Sequence, residues 1–130
     1  MKILIVDDSK MLRYMTSDVL KTLGYNQFFE ASDVPEAKAK LCKEKIDLVI
    51  SDFHMPLETG LDLLKWVRAS PDFAGMPFIM LTTDGEKKTI ISIVQAGVQA
   101  YLLKPVQAPL MSQKLLELSR KFGFPPPKEG

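Results

Sequence analysis

Five polar residues stand where short apolar runs end. Asp7 and Asp8 follow Ile3-Leu4-Ile5-Val6, Asp52 closes the run that opens with Leu48-Val49-Ile50, Thr82 closes Phe78-Ile79-Met80-Leu81, and Lys104 follows Ala100-Tyr101-Leu102-Leu103. If these positions meet, three carboxylates share one site. Two like charges at about 4 Å cost on the order of 4 kcal/mol at an effective dielectric near 20. Such a cluster calls for a cation or a raised pKa. Oxygen ligands without His or Cys side chains favour a hard ion, and Mg2+ held by few carboxylates commonly shares its shell with phosphate oxygens. Lys104 adds a point charge and Thr82 a hydroxyl donor, a pair suited to a phosphoryl group. The chemistry these residue types support is metal-assisted phosphoryl handling.

Taken singly, each residue has an ordinary reading. Asp7, Asp8 and Ser9 suit the N-cap of a first helix. Asp52 before Pro56 suits a turn. Thr82 suits the end of a strand, and Lys104 a solvated lysine. The joint placement at successive strand ends separates the chemical reading from the ordinary ones.

For the residues to meet, the chain must supply a sheet whose strands point the same way. The runs Ile3–Val6, Leu48–Ile50 and Phe78–Leu81 are continuous rather than alternating, as in strands buried on both faces. Gln27–Ala31 and Ala100–Leu103 are more mixed and read as outer strands. Between the runs lie stripes of helical period: Met11, Met15, Val19 and Leu23; Val34, Ala37 and Leu41; Leu61, Leu64 and Val67; Ile90, Ile91 and Val94; Met111, Leu115, Leu118 and Phe122. Gly24, Gly97 and Gly123 suit helix ends. Five β–α pairs predict an α/β domain, a doubly wound parallel sheet in three layers with right-handed crossovers. The polar residues then share the carboxyl edge, where open sheets bind ligands.

The 130 residues allow one domain, and with 46% hydrophobic and 25% charged residues that domain needs no staple. Lys and Arg number 17 against 16 Asp and Glu, which excludes a strongly basic nucleic-acid binder. The single cysteine, Cys42, excludes a disulfide framework and reads as an inert small residue in a reducing compartment. No apolar run approaches the roughly 18 residues of a membrane span, and the first strand gives no signal-peptide pattern. These features predict a cytoplasmic protein. The seven methionines read as core, and Trp66 as packing or surface. Residues 123–130, with three consecutive prolines, read as a solvated tail or a linker stub. Adjacent aspartates do not match the Asp-x-Asp of haloacid-dehalogenase phosphatases, and neither a P-loop nor a G-x-G-x-x-G is present.

The pieces Ile5-Val6-Asp7-Asp8-Ser9, Asp52-Phe53-His54-Met55-Pro56 with Gly60, Leu81-Thr82-Thr83, Ala96-Gly97 and Tyr101-Leu102-Leu103-Lys104-Pro105 together resemble the response-regulator receiver domain. The resemblance covers residues 1–122. Glu86–Ile91, Gln95–Gly97 and Leu20–Asn26 are similar to stand-alone chemotaxis regulators of the CheY type. The resemblance implies the flavodoxin-like strand order 2-1-3-4-5. It implies a phosphorylation-switched signalling protein of a two-component system, not an enzyme acting on other substrates. Asp52 is then the phosphoacceptor. Asp8, Asp52 and the His54 backbone carbonyl ligate Mg2+, with Asp7 acting through a bound water. Lys104 and Thr82 contact the phosphoryl group, Thr82 and Tyr101 form the switch, and the Lys104–Pro105 peptide is cis. His54 and Asp84 are candidates for setting the lifetime of the phosphoryl group. The implied partners are a sensor histidine kinase and an effector such as a flagellar motor switch component, with a phosphatase as a third. A relay intermediate, a phosphate sink and a receiver cut from an output domain are the alternatives. The sequence departs from the family pattern at Val34-Pro35 and Leu57-Glu58-Thr59. The first is acceptable in a first helical turn; the second lies beside the acceptor.

Overall fold

The computed structural model describes residues 1–83 and 85–128. Five strands, β1 (Lys2–Val6), β2 (Gln27–Ala31), β3 (Leu48–Asp52), β4 (Phe78–Thr82) and β5 (Ala100–Leu103), alternate with five helices. The helices are α1 (Lys10–Thr22), α2 (Val34–Lys43), α3 (Gly60–Ala69), α4 (Lys87–Gln95) and α5 (Ala108–Phe122). All strand pairs are parallel, in the order β2-β1-β3-β4-β5. The expected fold class and the two outer strands are therefore observed.

The continuous apolar runs divide their side chains between two cores, as the pleat requires. Leu4, Val6, Val49, Phe78 and Met80 face Val34, Ala37 and Leu41 of α2, Leu63, Leu64 and Val67 of α3, and Ile93 of α4. Ile3, Ile5, Leu48, Ile50, Ile79 and Leu81 face Leu20 and Leu23 by α1 and Met111, Leu115 and Leu118 of α5. Every residue of β3 and β4 is buried. The register places Val6, Asp52 and Thr82 at the carboxyl ends of their strands.

Local signals set the helix starts. Ser9 Oγ accepts from Leu12 N at 3.2 Å, Asp33 Oδ1 from Glu36 N at 2.8 Å, and Thr59 forms a reciprocal capping box with Asp62. Gly24, Gly97 and Gly123 all have positive φ past helix ends.

Three expectations are corrected. Only half of the α1 stripe faces the core: Val19 packs against it and Leu23 is buried, whereas Met11 and Met15 are exposed and Thr16 and Leu20 are the buried residues within the helix. A spacing of four residues drifts by about 40° per step on a 3.6-residue turn, so Met11 and Leu23 cannot share one face. In α4 the two i, i+3 pairs Ile90/Ile93 and Ile91/Val94 lie on different faces. The first pair turns inward, and Ile91 and Val94 are exposed. The methionines accordingly divide: Met55, Met80 and Met111 are buried, and Met11 and Met15 are not.

The tail is the third correction, since it is not simply solvated. Pro125 O accepts from the Tyr25 hydroxyl at 2.8 Å, and Lys128 N donates to Leu23 O at 2.8 Å. Phe124 packs against the α1/α5 core. An extended, proline-rich segment has no internal partners for its backbone groups, so it satisfies them on the α1–β2 corner. Among the described residues no helix is long and apolar enough to cross a membrane.

Candidate functional site

Three strand ends and one loop build the site. β1 runs into Asp7, whose N–H extends the sheet by donating to Ala31 O at 3.1 Å. Its buried carboxylate accepts from Ser9 N at 2.9 Å through Oδ1 and from Lys104 Nζ at 2.9 Å through Oδ2. Arg13, one helical turn on, donates to the Asp7 carbonyl at 2.6 Å and pairs with Glu30 at 3.0 Å. The backbone of Asp7 is thus fixed from two sides. Asp8, on the same turn, is exposed.

Asp52 ends β3 and is 6% exposed. The backbone beyond it is held by Phe53 N donating to Leu81 O at 2.7 Å and Gly60 N donating to Phe53 O at 3.0 Å. Gly60 is required here: a Cβ would overlap the Asp52 carbonyl oxygen and stand 2.8 Å from Met80 Sδ. Asp52 Oδ1 lies 3.1 Å from Lys104 Nζ. Thr82 is fully buried at the end of β4, and its carbonyl accepts from Lys104 N at 2.8 Å. The Lys104–Pro105 peptide is cis, as expected.

Asp7, Asp8 and Asp52 each offer a carboxylate oxygen, and these oxygens lie within 4.8 Å of one another. Oxygen donors alone, two of them from buried acids, fit a small hard cation such as Mg2+ and not a soft one. Burial pushes the Asp52 carboxyl above its ordinary range; Lys104 opposes the rise and the Asp7 charge adds to it. Burial alone would pull Lys104 down. Its hydrogen bonds to Asp7 and Asp52 and their charges outweigh that and hold the ammonium above its ordinary value.

The other two described residues of the expected set, His54 and Tyr101, are exposed. The His54 side chain is exposed and edge-on to the Phe53 ring at 4.8 Å. Tyr101 is 37% exposed on the outer strand β5, in register with Met80. Asp84 lies outside the described residues. Sequence reasoning gave no role to Arg13 or Gly60. Gly60 had a signal in its fixed distance from Asp52, whereas nothing in the spacing of Arg13 marks its bond to the Asp7 carbonyl.

Comparison with known proteins agrees with this geometry. The sequence profile of the response regulator receiver domain matches residues 3–116. The chain is 40% identical over 115 residues to the chemotaxis protein CheY-3 of Vibrio cholerae, covering 88% of each chain. It is 40% identical over 116 residues to the chemotaxis protein CheY1 of Helicobacter pylori, covering 88% of this chain and 94% of that one. The solved structure of Vibrio cholerae chemotaxis protein CheY4 superposes with a TM-score of 0.77 at 34% identity, over 92% of this chain and 96% of that one.

Proposed function

The chain belongs to the response regulator receiver family, and from that premise we propose that Asp52 accepts a phosphoryl group from a histidine kinase. The observation that carries this reading is the meeting of Asp7, Asp8 and Asp52 within 4.8 Å beside the Lys104 ammonium. An Asp52 carboxylate oxygen attacks phosphorus, the P–N bond to the donor imidazole breaks, and its electron pair returns to the ring nitrogen. Lys104 turns to the new phosphoryl oxygens, and the Thr82 hydroxyl donates to one of them. Asp8, Asp52 and the His54 carbonyl would hold Mg2+, with Asp7 contributing through water. The bound ion supplies neutralising charge to the phosphoryl oxygens.

The new charge-assisted bonds draw Thr82 inward, and the Tyr101 ring follows into the space it leaves. The surface formed by α4, β5 and α5 then changes shape for an effector. Both relatives named above are chemotaxis proteins, which supports a flagellar motor switch component as that effector. A phosphatase is a further partner, and His54 and Asp84 border the path of the water that ends the signal. Residues 1–122 form the receiver and 123–130 its tail, acting in the cytoplasm where such kinases present their phosphohistidine.

Incubation with a small phosphodonor tests the reading. Intact mass should rise by one phosphoryl group with Mg2+ present. Asp52→Asn should remain unmodified, as should wild type with a chelator. A labile adduct that persists in Asp52→Asn would remove Asp52 as the acceptor.

A further inference from the structure

Arg68, at the end of α3, spends its guanidinium on four acceptors. Nε donates to Gly97 O at 2.9 Å, Nη1 to Ala74 O at 3.0 Å and Met76 O at 2.8 Å, and Nη2 to Gln99 Oε1 at 2.6 Å. Gln99 Oε1 also accepts from Phe78 N at 2.7 Å, and Gln99 N donates to Phe78 O at 3.2 Å. One planar group therefore ties the end of α3, the loop into β4, the first residue of β4 and the turn from α4 into β5. The planar fork of arginine suits this role; a lysine could not make the same set of bonds. Gly97 closes the arrangement: its φ is +90°, and a Cβ there would meet Arg68 Nε at 3.2 Å.

This knot lies at the amino edge of the sheet, opposite the acids, because β4 starts at Phe78 and ends at Thr82. Helix α4 returns from the carboxyl edge to the amino edge, and its two ends differ. At the start, Lys87 and Lys88 are exposed. The one buried residue of the helix, Ile93, lies in its second half. The far end leads directly into the Gly97 carbonyl held by Arg68.

We infer that Arg68 and Gln99 are positioning residues, a clamp that fixes the α4–β5 turn as the pivot about which the start of α4 rearranges when Asp52 is phosphorylated. The inference rests on the switching reading given above. Gln99 also directly precedes β5, which begins at Ala100, one residue before Tyr101. A fixed pivot confines the change to the end of α4 nearest Thr82, so the displacement there is not dissipated by a shift of the whole helix.

Amide hydrogen exchange on the full chain, with and without beryllofluoride and Mg2+, tests this. Arg68→Ala would strand three backbone carbonyls and risks unfolding. Gln99→Met removes only the shared acceptor, and Gln99→Glu keeps it. In the resting protein, Gln99→Met should speed exchange at Phe78 and Gly97 by about tenfold, the effect of losing one well-formed hydrogen bond. Its rate of labelling by a small phosphodonor should match wild type. On beryllofluoride the wild type should change protection over 87–91 and little over 96–99. Gln99→Met should spread the change across 87–99, and Gln99→Glu should restore the wild-type pattern. A wild-type pattern in Gln99→Met overturns the clamp and leaves the switch standing. No response in wild type overturns the switching reading and the pivot with it.

Discussion

The Lys104 ammonium stands 3.1 Å from Asp52 Oδ1 while holding Asp7 Oδ2 at 2.9 Å. One cation therefore bridges two buried acids in the resting protein. Removing it leaves both carboxylates desolvated and facing each other. Breaking one side of a buried pair typically costs about 3–5 kcal/mol. Lys104→Met should thus lower metal-free stability by about 3 kcal/mol in urea unfolding. Adding Asp52→Asn in the same chain should recover part of the loss. Stability equal to wild type in the single variant would show that the bridge does not hold the site.

Asp52 alone should behave in the opposite sense. Burial raises its folded pKa above the ordinary value of 3.8 despite Lys104. A raised folded pKa means that the fold is favoured while the group is protonated and loses that advantage as pH rises through the folded pKa. At neutral pH the ionised Asp52 thus weighs against the metal-free fold. Asp52→Asn should raise the metal-free Tm by a few degrees near neutrality while abolishing phosphorylation. The gain should shrink toward zero as the wild-type carboxyl protonates in acid. Thermal unfolding across the acid range, with a chelator present, measures both. A variant Tm at or below wild type at neutral pH would contradict the direction.

Added Mg2+ should reverse that order. A ligand that binds only the folded state stabilises by RT ln(1 + [L]/Kd). Wild type has three oxygen ligands within 4.8 Å, and Asp52→Asn loses one charged member. Titrating Mg2+ should raise the wild-type Tm steadily and the variant Tm much less, so the two curves should cross. Parallel curves would mean that the ion is held elsewhere.

The strand pattern and the acid cluster were legible because each is written locally. Continuous runs such as Ile3–Val6 and Phe78–Leu81 report burial on two faces, and a parallel sheet gathers whatever follows them at one edge. The orientation of α1 was not legible. Its apolar residues cover more than one face, and only the sheet beneath decides that Thr16 and Leu20 turn inward. The bond between Arg68 and Gln99 spans 31 residues, and that between Tyr25 and Pro125 spans 100. Contacts of that kind leave no spacing in the sequence, since each needs the completed fold to bring its partners together. The site was read as residue types at strand ends; of its supports, Gly60 stood in the motif around Asp52 without its steric reason, and Arg13 left no mark in the sequence at all.

Gly60 gives a sharper test of those supports. Its Cα lies so close to the Asp52 backbone that a methyl group would overlap the carbonyl oxygen. Neither Met80, fully buried, nor the end of β3 has room to retreat. Gly60→Ala should cost about 1–3 kcal/mol through overpacking. It should also slow labelling by a small phosphodonor, because relief must come from moving Asp52. An alanine variant with unchanged stability would show that the loop yields freely.

The tail offers a prediction at the other end of the pH scale. The Tyr25 phenol is 6% exposed, donates to Pro125 O, and is pushed by burial from 10.0 up to about 12. For an acid whose folded pKa is raised, the stabilisation is complete below the unfolded pKa and is lost as pH climbs through the folded one. The contribution of Tyr25 should therefore hold up to pH 10 and fade between 10 and about 12. Tyr25→Phe should cost about 1 kcal/mol at neutral pH for the lost hydrogen bond. Because phenylalanine cannot ionise, the gap to wild type should narrow and then close above pH 10. Ending the chain at Gly123 should strip away both Pro125 and the Lys128–Leu23 bond, and ultraviolet titration should then show Tyr25 ionising at a lower pH than in the intact protein. If Tyr25 of the full chain ionised near 10, it would be solvated and the tail would not cover it.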